Sequence, residues 1–100
     1  MKEKIQLLSV LKYEKDGKVH SRLSFIFADS DKCSTDGNMH GYSEVALYYD
    51  SDKPYQNLPV NCFGQIVEAN FIEKINPFNP MRESTIIDSI KFIDKTYDLI

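Results

Sequence analysis

One hundred residues with 42% hydrophobic and 27% charged side chains fit one globular domain, and exclude wholesale disorder. Four Gly and four Pro exclude collagen-like and Pro-rich chains, and no apolar run reaches the roughly 18 residues of a membrane span. The N-terminus lacks the apolar core and cleavage site of a signal peptide, so a cytoplasmic domain is expected. The net charge of −3 is unevenly spread. Residues 1–22 carry six basic groups (Lys2, Lys4, Lys12, Lys15, Lys18, Arg22) against three acidic ones, whereas both remaining stretches are net acidic. A local basic face of this kind binds a polyanion even on an acidic protein; the same charges also suit the solvated side of a hairpin.

In chain order, Lys4 to Glu14 places Ile5, Leu7, Leu11 and Tyr13 on one face of a period-2 pattern and Leu8 and Val10 on the other. Asp16-Gly17 is a hairpin signal, because both residues tolerate the positive φ of a tight primed turn. Residues 18–28 then alternate Val19, Ser21, Leu23, Phe25 and Phe27 against His20, Arg22, Ser24, Ile26 and Ala28. A long antiparallel hairpin of 4–14 with 18–28 is expected. After a polar loop, Gly41 to Tyr49 reads as a third strand with Val45, Leu47 and Tyr49 inward. A fourth is expected from Val60 to Ile75, with Phe63, Val67, Ala69 and Phe71 inward and a bend or bulge at Gly64. Asn76 to Pro80 breaks it. The last segment is ambiguous: Ile86, Ile90, Ile93 and Tyr97 have helical spacing, whereas the β-branched content of 84–93 favours a strand. The strand is preferred, with a helix as the alternative. The core is expected to contain Leu7, Leu23, Phe25, Phe27, Leu47, Val67 and Phe71.

Four or five short strands at this spacing suggest an all-β, five-stranded antiparallel barrel of the oligonucleotide-binding (OB) type. The strand order and the segment Ile86-Ile87-Asp88-Ser89-Ile90-Lys91-Phe92-Ile93 resemble the small single-stranded-DNA-binding proteins of phages and mobile elements, in particular the filamentous-phage helix-destabilising proteins. The resemblance implies non-sequence-specific binding of single-stranded DNA in replication or transfer, often by a homodimer. The Asp50-to-Pro59 insertion and the acidic middle depart from that pattern. Such binding needs cations along the phosphate track and exposed rings for base stacking. Lys12, Lys15, Lys18 and Arg22 supply the cations, and Tyr13 and Tyr48 are the stacking candidates. Tyr42 and Phe78 offer further rings, and Tyr49 shares the Val45–Leu47 face and reads as core.

No cofactor and no catalytic chemistry is expected. Cys33 and His40 could be drawn as a nucleophile and base, but neighbouring aspartates oppose a thiolate. The Cys and His spacings fit no zinc site, and Asp29-Ser30-Asp31 lacks the Gly and closing Glu of a calcium loop. Cys62 beside Phe63 reads as a small core residue, and both cysteines as free thiols. The competing function is a small protein-interaction module or an inhibitor of a host protein, with no nucleic-acid binding, whose acidic 23–60 stretch imitates nucleic acid or meets a basic partner.

Overall fold

A computed structural model describes residues 1–28, 33–35, 37–38, 40–49, 55, 58–76 and 79–100, with 75–76 and 79–83 described by backbone alone. The strands are β1 (Lys2–Lys15), β2 (Lys18–Phe27), β3 (Val45–Tyr49), β4 (Ile66–Asn76), β5 (Asn79–Phe92) and β6 (Lys95–Asp98). They form one antiparallel sheet of six strands in the order β3-β2-β1-β4-β5-β6. The β1–β2 hairpin closes at Lys15↔Lys18, with Asp16 at φ 55° and Gly17 at φ 75°, as a primed turn requires.

Alternation is interrupted once in β1. Leu7 pairs with Phe25 and Ser9 with Ser24, so Leu8 is the extra residue of a bulge. The bulge moves the second half of the strand to the opposite parity. Ile5, Leu7 and Val10 therefore face the core, whereas Leu11 and Tyr13 turn to the other side. Leu11 is 51% exposed, and the expected Ile5–Leu7–Leu11–Tyr13 stripe is corrected accordingly.

The fourth strand begins later than expected. Val60–Cys62 is a 3-10 turn, and Gly64, at φ 85°, lets the chain reverse into β4. That turn is tied to β1, since Gly64 N–H donates to the Leu7 carbonyl at 2.7 Å and Leu7 N–H to the Gln65 carbonyl at 3.2 Å. Residues 79–92 are a strand throughout, so the helical alternative for the last segment is set aside. Tertiary pairing with β4 over most of its length satisfies the backbone and favours its β-branched residues.

The sheet is not closed into a five-stranded barrel. A sixth strand, β6, occupies part of the outer edge of β5, from Ser89 to Phe92, and β3 spans only five residues. Short side-chain links reach across where a closing ladder would run. Tyr55 Oη accepts from Ile87 N–H at 3.3 Å, and Lys74 Nζ donates to Tyr49 Oη at 3.4 Å.

The buried core holds Leu7, Leu23, Phe25, Val67 and Phe71 as expected, with Phe27 and Leu47 partly buried against it. Tyr49 and Cys62 are buried too, and burial pushes the Cys62 thiol pKa up. Ile5, Tyr55, Ile86, Ile87, Ile90 and Leu99 complete the core. Phe25, Phe27 and Phe71 form a ring cluster linking β2 to β4 across β1, with centroids 5.4–6.0 Å apart.

Candidate nucleic-acid interface

Directly opposed residues of an antiparallel ladder point to the same face. The ladder rows Ser9–Ser24–Ala46 and Leu11–Arg22–Tyr48, with the pairs Tyr13–His20 and Lys15–Lys18, therefore lie on the outer face of the β1–β2–β3 sheet. This brings Tyr13, Lys15, Lys18, Arg22 and Tyr48 together. Lys12, which is exposed, stands in the row Lys12–Ser21–Tyr49, on the other side of the sheet from these five.

Each of the five has distinct surroundings. Tyr48 is 53% exposed and stands across from Arg22, at the end of the row Leu11–Arg22–Tyr48. Tyr13 is half-buried and its ring stacks on His20, centroids 5.4 Å apart at 18°, so one face of that ring is already covered. Arg22 is committed to two neighbours, its Nε donating to Ser24 Oγ at 3.3 Å and its Nη2 pairing with Glu44 Oε1 at 3.5 Å. Lys15 and Lys18 are exposed at the mouth of the hairpin turn. Lys15 and Lys18 thus bring positive charge to the turn, and Glu44 offsets that of Arg22. Sequence reasoning missed the exposed Leu11 as a member of this surface, and missed His20, which shares its rows but is buried. Alternation already set His20 beside Arg22, but nothing local marks the bulge that exposes Leu11.

Tyr42 is exposed and Tyr49 is buried. Phe78 and the Asp29-Ser30-Asp31 segment lie outside the described residues. The bridge Ser34↔Gly41 runs antiparallel, which sets Thr35, not Cys33, across from His40. Among the described residues no group of three His, Cys, Asp or Glu is placed to hold a metal ion. Comparisons with protein-family models, with curated proteins and with solved structures give no match to this chain.

Proposed function

We propose that this protein binds single-stranded DNA without sequence preference, across the outer face of β1–β3. The observation that carries the reading is the convergence of Tyr13, Lys15, Lys18, Arg22 and Tyr48 on one face beside the hairpin turn. Rings beside cations are what backbone tracking and base stacking demand. Two features of the sheet support it. The path β3-β2-β1-β4-β5, with β1 shared between the two halves, suits an OB-type barrel opened between β3 and β5. OB barrels bind oligonucleotides through the face of strands 2 and 3 and the loops joining strands 1–2 and 4–5. Here Arg22 and Tyr48 stand on the first of these surfaces, and Lys15 and Lys18 on the second. The resemblance to the phage proteins extends the reading to a cytoplasmic homodimer acting in replication or transfer.

The test is a low-salt titration with oligo-dT. The chain has no Trp and six Tyr, so quenching of tyrosine fluorescence reports stacking directly. Tyr48→Ala should weaken binding by about 1–3 kcal/mol and leave melting nearly unchanged, because an exposed ring gives up little buried area. Absence of both quenching and a mobility shift would overturn the proposal.

A further inference from the structure

The inner side of the sheet holds a cavity of about 640 Å³ on the face opposite the proposed DNA surface. Phe25 and Phe27 of β2, Val45 and Leu47 of β3, and Phe71 and Ile72 of β4 line it, so its walls come from the β2–β3 and β4 sides of the sheet, which are joined through β1 and not directly to each other. Its size falls within the range of small-molecule sites, and its lining is mostly apolar with a few polar groups, as such sites require.

The charged side chains at this cavity are of one sign. Glu3, half-buried, and Glu73 both line it, and no Lys or Arg does so among the described residues. Glu73 is oriented by Thr85, whose hydroxyl donates to Glu73 Oε1 at 2.6 Å. The terminal ammonium of Met1, also at the cavity, donates to the Phe71 carbonyl at 2.9 Å and to Asn70 Oδ1 at 3.5 Å; it offsets part of the charge of the two carboxylates and leaves the rim net negative.

The geometry points to a binding site for an amphiphilic cation, an apolar body carrying an ammonium or guanidinium group. The apolar part is withdrawn from water among the Phe25, Phe27 and Phe71 rings, which is the main source of affinity. The head lies at the Glu3 and Glu73 carboxylates, the first half-buried and the second exposed, where a cation is attracted and an anion repelled. A neutral head gains neither effect. Specificity is therefore written in charge, and affinity in the length of the tail.

Three probes sharing one tail separate these contributions: decylammonium, decanol and decanoate, each below its aggregation threshold, titrated into the ¹⁵N-labelled protein. Decylammonium should bind most tightly and decanoate most weakly, with amide shifts centred on Val45, Leu47, Phe71 and Thr85. Glu73→Gln and Glu3→Gln should each reduce the preference for decylammonium over decanol by about two- to fivefold, leaving decanol itself unchanged. Both positions are at least partly exposed, so the variants should fold. Tyr48→Ala, on the opposite face, should alter none of this. Equal binding of the three heads, shifts confined to the outer face, or no binding by any probe would overturn the assignment.

Discussion

Tyr55 joins three parts of the sheet through one residue. Its N–H donates to Ser21 Oγ at 3.1 Å, its ring lies 5.1 Å from that of Tyr49, and its hydroxyl accepts from Ile87 N–H. Burial pushes its pKa from 10.0 up to about 12, against the smaller opposing effect of that hydrogen bond. In the unfolded chain the phenol ionises first, so between pH 10 and 12 the unfolded state holds fewer protons than the folded one. Stability falls as pH rises through this window, by about 2–3 kcal/mol from this group. Tyr55→Phe should remove that part of the alkaline loss. Near neutral pH it should cost about 1–3 kcal/mol, because Ile87 N–H is left buried without its acceptor. Urea titrations from pH 7 to 12 check both, and an unchanged alkaline profile would contradict the assignment. Phe25→Ala, which opens the Phe25–Phe27–Phe71 cluster, should cost about 3–5 kcal/mol. A melting temperature within a few degrees of the parent would show that this ring is not central to the core.

At the scale of elements, irregularities decide where side chains end up. The bulge at Leu8 transfers Tyr13 to the outer face and Val10 to the core, and strict alternation cannot reveal it. A second irregularity lies in β5, where Asn70 pairs with Ser89 and Phe71 with Ile87, leaving Asp88 as the extra residue. Its carbonyl accepts from Leu99 N–H at 2.8 Å and its carboxylate from Asn70 Nδ2 at 2.8 Å, so the disrupted ladder is resatisfied locally. The β5–β6 turn was not legible because Ile93-Asp94 contains no Gly or Asn. Ile93 adopts φ 59°, a left-handed conformation that its branched Cβ disfavours, and it is 73% exposed. Ile93→Gly should therefore raise stability by about 1 kcal/mol, read as a gain of roughly 4–8 °C in melting temperature. A fall in melting temperature would mean that the Ile93 side chain contributes more than its backbone strain costs.

Across the whole molecule the sheet separates two chemistries. Its outer face beside the hairpin turn carries rings and cations, and its inner face carries the aromatic cluster and the acid-rimmed cavity. Under the proposed function, Lys15→Gln and Lys18→Gln together should flatten the salt dependence of oligo-dT binding. The log–log slope should fall by roughly 0.7 for each lost phosphate contact. Lys12→Gln should leave the slope unchanged, because Lys12 belongs to the Ser21–Tyr49 row on the other face. A slope that responds to Lys12 and not to the pair would move the interface off this surface. The membership of the candidate surface was partly legible, since Tyr13, Lys15 and Lys18 cluster at a recognisable turn. Their separation from Lys12, and the pairing of Arg22 with Glu44, depended on register and on a neighbour 22 positions away.

The sequence alone determined the Asp16-Gly17 hairpin, the inward faces of β2 and β3, the start of the polar loops and the aromatic make-up of the core. Each follows from neighbours in the chain: the period-2 geometry of a strand and the φ preferences of two turn residues. Only the tertiary structure decided the bulges at Leu8 and Asp88, the sixth strand, the open seam between β3 and β5, and the burial of Tyr55. Those depend on which distant backbone groups pair, and pairing is a competition for hydrogen bonds and apolar cover among strands far apart in sequence. Tyr55 shows why: it comes from a segment that reads as a turn-rich insertion, yet it is 1% exposed, with its ring against that of Tyr49 and its hydroxyl on Ile87 N–H.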